Sequence, residues 1–136
     1  VEKMWTRPTV LSGYTFRLNS EEGKVYVTIN VNDGNPKEVF VHVGKGGSTV
    51  NTLTEALGRV ISVSLQHGIP PQVIIEQLRG IKVGEIYVQA DGGKTTSIPD
   101  AIAYALEKVI GDDSRKFTED MIDAFLEDKV PLSKEI

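Results

Sequence analysis

Gly23-Lys24-Val25-Tyr26-Val27-Thr28-Ile29-Asn30-Val31-Asn32-Asp33-Gly34-Asn35-Pro36-Lys37-Glu38-Val39-Phe40-Val41-His42-Val43 is the stretch that decides the fold. Val25, Val27, Ile29 and Val31 alternate with Tyr26, Thr28 and Asn30. After a break at Asn32–Pro36, Val39, Val41 and Val43 alternate with Phe40 and His42. Period-two alternation of β-branched residues marks strands with one buried face. The break contains the glycine that a reversing turn requires. Upstream, Tyr14, Phe16 and Leu18 alternate with Thr15, Arg17 and Asn19, and Glu21-Glu22-Gly23 supplies a second reversal. The expected unit is an antiparallel meander whose far face carries Tyr26, Thr28, Phe40 and His42, a mixture that suits contact between copies of the chain.

Beyond Val43 the period changes. Leu53, Ala56, Leu57, Val60, Ile61 and Leu65 form a wide helical stripe, with Gly68 placed as a left-handed cap. Pro70 and Pro71 open a second helix carrying Val73, Ile74, Ile75 and Leu78, which Gly80 ends. Ile86-Tyr87-Val88 reads as a short fourth strand closed by Asp91-Gly92-Gly93. A third helix begins near Pro99, turns Ile102, Ala105, Leu106 and Val109 inward, and stops at Gly111. Ser97 and Asp100 have capping-box spacing. A last helix is expected over roughly 119–128, with Met121, Ile122, Phe125 and Leu126 on one face. Strands first and helices after give an α+β fold: an antiparallel three- to four-stranded sheet with one face covered by three helices, plus a C-terminal helix.

The charge is unevenly placed. Residues 1–110 hold eleven basic and eleven acidic side chains, whereas residues 111–136 hold four basic and eight acidic ones, which is the whole net charge of −4. The chain therefore divides into a neutral domain, 1–110, and an acidic amphipathic helical tail, 111–136. No basic stripe favours duplex nucleic acid. No apolar run approaches the length of a membrane span, and Val1–Thr9 has no signal-type apolar core, so a cytoplasmic protein is expected. The absence of cysteine excludes disulfides, thiolate metal sites and thiyl-radical chemistry, and His42 and His67 are too far apart in sequence to pair in a metal motif. No metal or cofactor is expected.

Arg7-Pro8-Thr9-Val10-Leu11-Ser12-Gly13, Val25–Asn30, Gly44-Lys45-Gly46-Gly47, Thr54-Glu55-Ala56-Leu57-Gly58-Arg59, Gln77-Leu78-Arg79-Gly80-Ile81 and Ser97-Ile98-Pro99-Asp100-Ala101-Ile102-Ala103 occur in that order. Together they resemble the TSCPD domain, found near the C-terminus of adenosylcobalamin-dependent ribonucleotide reductases and as small stand-alone proteins. The resemblance spans about residues 7–110. It implies cysteines where this chain has Ser48, Val83, Ile98 and, by a loose alignment, Glu22. Those four side chains cannot form a thiolate site, so Ile98 reads as a lost ligand position refilled by an apolar residue. The resemblance also implies a reductase connection without reductase chemistry, because the radical and reducing cysteines of that reaction are missing.

Two loops carry the candidate ligand site. Lys45, Gly46, Gly47, Ser48 and Thr49 lead into the first long helix, and Lys94, Thr95, Thr96 and Ser97 lead into the third. Free helix-start N–H groups, a lysine and hydroxyls favour a phosphate or carboxylate, although the same residues also serve as ordinary capping turns. Arg59 joins the set as a guanidinium fork, with ion pairing to Glu55 as the simpler role; Arg79 has the same two readings, with Glu76 as its pairing partner. Gly93-Lys94-Thr95 is no P-loop, since that motif needs glycine where Val88 stands. Trp5, Tyr14, Tyr26, Tyr87 and Tyr104 read as packing residues before base-stacking ones. The expected function is therefore non-enzymatic. One form is a reductase-associated module that binds a phosphate-bearing nucleotide-like ligand or docks on a ribonucleotide reductase chain. The alternatives are a stand-alone, phage-type protein that sequesters nucleotide messengers, and a purely structural oligomerisation domain. A homo-oligomer is expected in each case.

Overall fold

The computed structural model describes residues 5–111. The expected tail helix lies outside the described residues. Three antiparallel strands, β1 (Ser12–Ser20), β2 (Gly23–Asn32) and β3 (Asn35–Val43), pair in the order β1-β2-β3. Leu18, Val25, Val27, Ile29, Val39 and Val43 are buried on one face, as the alternation requires. The turn between β2 and β3 places both Asp33 and Gly34 at positive φ, which is the reason for an Asp-Gly pair there.

Helix α1 (Ser48–Gln66) runs along β3, α2 (Pro71–Leu78) packs on the last helix, and that helix, α3 (Ile98–Ile110), lies across the core face of all three strands. Every residue from Ala101 to Leu106 is buried, which fits a helix enclosed on several sides. The short fourth strand exists as β4 (Tyr87–Val88). It pairs with β5 (Lys94–Thr95) in a separate two-stranded ladder and does not extend the main sheet. None of the helices among the described residues is long and apolar enough to cross a membrane.

The stripe expected on α1 is only half inward. Leu57, Ile61 and Leu65 join the core, but Leu53, Ala56 and Val60 are exposed. The cause is where the helix sits. Its backbone lies against the free edge of β3, so close that a Cβ on Gly58 would stand 2.8 Å from the Val39 carbonyl oxygen. Polar side chains then face the strand. Ser62 Oγ accepts from Val39 N–H (2.9 Å) and donates to Val39 C=O (3.2 Å), and Asn51 accepts from Val43 N–H (2.9 Å) and donates to Val43 C=O (3.1 Å). Gln66 Nε2 donates to Lys37 C=O. The opposite edge is held in the same way at one residue: the amide of buried Gln89 accepts from Asn19 N–H (2.8 Å) and donates to Asn19 C=O (3.0 Å). At Val39, Val43 and Asn19 the edges exchange main-chain pairing for bidentate side-chain pairing.

Candidate functional site: one open helix start and one filled

The two loops lead into helix starts that line one pocket, where Val50 of α1 and Ile98 and Pro99 of α3 meet Glu21 and Glu22, but their lysines sit on different elements. Lys45 follows β3, whose neighbour Gly44 donates to Lys24 C=O on β2. Lys94 lies in β5, opposite Val88, and Val88 C=O accepts from Asn19 Nδ2 on β1. Strands β2, β1 and β4 therefore stand between the two lysines. Arg59 is on the exposed side of α1 and pairs with Glu55 at 3.0 Å, as the spacing allows.

The second loop has its donors in use. Thr95 is fully buried, and its hydroxyl accepts from Gln89 Nε2. Ser97 is the N-cap of α3 and accepts from Asp100 N–H at 3.1 Å. Thr96 N–H donates to Asp100 Oδ2 at 2.8 Å, and Ile98 N–H donates to Glu21 Oε2 at 3.1 Å. Glu21 and Asp100 thus supply the negative charge that a helix start attracts. Asp100 also accepts from Gly80 N–H (2.7 Å) and Arg79 Nη1 (2.9 Å). Burial pushes the Asp100 carboxyl up, but those N–H groups and the guanidinium outweigh it and hold it below the ordinary carboxylate value. Arg79 is paired with Asp100 and, at 2.7 Å, with Glu107, in place of the expected Glu76.

The first loop is different. Gly47 caps α1 without a side-chain hydrogen bond, no acidic residue lies in the first turn, and the first helical bond runs from Asn51 N–H to Gly47 C=O. Among the described residues, nothing accepts from the N–H groups of Ser48, Thr49 or Val50, and both hydroxyls are exposed without partners. Gly46 is required here, because a Cβ would meet the Val43 side chain at 2.8 Å. The arrangement can hold one anionic group with uncharged donors.

The positions read as lost cysteines do not suit a metal. Ile98 is buried, and it lines a mostly apolar pocket of about 290 Å³ with Val50, Leu57, Pro99, Glu21 and Glu22. Val83 is exposed, and its N–H is taken by Thr96 C=O. Neither of these two side chains offers a metal donor.

Sequence reasoning missed one cluster. Asp91 Oδ1 accepts from the Tyr104 hydroxyl and from Gly93 N–H, Asp91 Oδ2 pairs with Lys108, and the Arg79 and Lys108 cations lie over the Tyr104 ring. It latches the β4–β5 hairpin onto α3. Its trace in the sequence was Asp91-Gly92-Gly93, read only as a turn; the structure sets Gly93 against Tyr104.

Residues 2–110 match the TSCPD domain, and the chain belongs to that family. A 64-residue segment is 31% identical to the vitamin B12-dependent ribonucleotide reductase of Rhodopirellula baltica; it covers 47% of this chain and 6% of that protein. The chain thus corresponds to a small fraction of that relative's length. No solved structure matches it.

Proposed function

We propose that this chain is a non-catalytic module of the ribonucleotide-reductase-associated kind that binds a phosphate-bearing, nucleotide-like ligand at the Gly44–Thr49 loop. The observation that carries the reading is the contrast between the two helix starts. That of α3 is filled by Glu21, Ser97 and Asp100, whereas that of α1 keeps, among the described residues, three free N–H donors and two free hydroxyls, with Lys45 in the loop before it. The absence of cysteine supports a binding role over catalysis, because the thiols of reductase chemistry are missing.

A second reading, docking onto a reductase chain or another copy, is favoured by the exposed apolar groups Leu53, Val60 and Val63 along α1. Calorimetric titration with mononucleotides and with inorganic pyrophosphate separates the two. Binding that Lys45→Ala weakens and Lys94→Ala leaves unchanged supports the ligand site. No heat with any of these compounds sinks it and moves the search to protein partners.

A further inference from the structure

The β3 edge is sealed at Lys37, Val39 and Val43, and those residues define which strand groups face α1. Alternation puts the N–H and C=O of Val41 on the same side. Among the described residues, no side chain of α1 takes either group. The helix residues opposite are Glu55, which turns to Arg59, and Gly58, which has no side chain. The gap opens into a cleft of about 460 Å³ between α1 and the outer face of the sheet, a volume in the range of small-molecule sites. Phe40, 55% exposed, and His42 form one wall, and Arg59 stands on the other. Asn51 joins this cleft to the first loop, because it lines the cleft and donates to Gly46 C=O at 3.1 Å.

We infer that the Val41 gap is the recognition site for a heteroaromatic base. An adjacent main-chain donor and acceptor read the hydrogen-bonding edge of a ring that carries an acceptor beside a donor. Phe40 and His42 offer flat faces for stacking. Among the described residues Arg59 is held only by an exposed pair with Glu55, which a more strongly charged ligand group displaces. The inference rests on the nucleotide reading above and adds where the base sits and which main-chain atoms select it. An aliphatic phosphate would satisfy the first loop and leave this cleft empty.

The test is an amide NMR titration of the ¹⁵N-labelled protein with the four common ribonucleosides and, separately, with pyrophosphate. Expected are shifts at Phe40, Val41 and Gly58 with at least one nucleoside, and shifts at Gly46–Thr49 with pyrophosphate. Phe40→Ala weakens the nucleoside effect about tenfold while its pyrophosphate effect persists. Val41→Pro removes the outward N–H without touching the β2 ladder and abolishes the nucleoside effect. Should that variant misfold, Arg59→Ala with intact nucleotides replaces it, and weakened binding is required. If pyrophosphate moves the loop while no nucleoside moves Val41, the base site is wrong and the anion site stands. If nucleosides move Val41 while pyrophosphate moves nothing, the anion reading fails and the base site stands. If neither moves anything, both are wrong.

Discussion

The Ser62 hydroxyl holds both main-chain groups of Val39, accepting from its N–H at 2.9 Å and donating to its C=O at 3.2 Å. Val39 is 1% exposed, so water cannot replace either bond. One hydroxyl on a helix does there what a neighbouring strand would do.

Ser62→Ala leaves that donor and acceptor unsatisfied and costs about 1–3 kcal/mol. Ser64→Ala removes only a bond back to Val60 C=O within α1 and changes stability by under about 0.5 kcal/mol. Urea unfolding midpoints of the two variants check the contrast.

Gly58→Ala is destabilising although alanine is the better helix former. The new Cβ meets the Val39 carbonyl at 2.8 Å, a backbone atom that cannot rotate away. Overpacking costs about 1–3 kcal/mol, against about 1 kcal/mol gained in propensity. Helix content by circular dichroism is retained while the thermal midpoint falls; a raised midpoint contradicts the close contact.

Acid weakens the fold through carboxylates held below their ordinary values. In Glu38 the bond from Arg7 lowers the pKa against burial, and in Asp91 the Tyr104 hydroxyl leads, followed by Lys108. Asp100 is lowered as described. For a depressed folded pKa, the stabilisation is complete above the unfolded value, about 4, and fades as pH falls from there toward the folded one. Asp100→Asn cannot accept at both oxygens, costs about 3 kcal/mol at neutral pH, and makes the stability profile flatter below pH 4. An unchanged slope in urea titrations at pH 3 and 4 contradicts the assignment.

Tyr104 titrates late. Burial first, and then its bond to Asp91, push it up to about 12. Its neutral form stabilises the fold fully below the free tyrosine value of about 10, and that contribution is lost as pH rises from there toward 12. In ultraviolet titration at 295 nm, Asp91→Asn moves one tyrosine to lower pH.

The strands were legible in the sequence because their valines and isoleucines bury against side chains, and burial of that kind imposes alternation. The orientation of α1 was not. Its inward face carries Asn51, Gly58 and Ser62, since its partner is a strand's main chain, and a hydrophobicity pattern cannot report a polar partner. Leu53 and Val60 then read as core and are exposed. Ser97 was legible as a cap because capping is local. Its expected reciprocal partner was only half right: Asp100 gives Ser97 its N–H but turns its carboxylate to Gly80, Thr96 and Arg79. The lysines of the two loops looked alike in sequence. What separates their helix starts is Glu21, brought to α3 from 77 residues away by the β1–β2 turn.

The edge closure along β3 also governs how the chain fails. Val39-Phe40-Val41-His42-Val43 combines high strand propensity with no formal charge, the composition of a segment that templates cross-β growth. It stays harmless while α1 lies along it, with Ser62 and Asn51 holding the outward groups of Val39 and Val43. Any excursion that lifts α1 alone uncovers a ready-made growing end while the rest of the sheet is still folded. The helix that lines the candidate site is therefore also the chain's guard against fibrils, and a tight ligand in the cleft would slow aggregation by keeping that helix down.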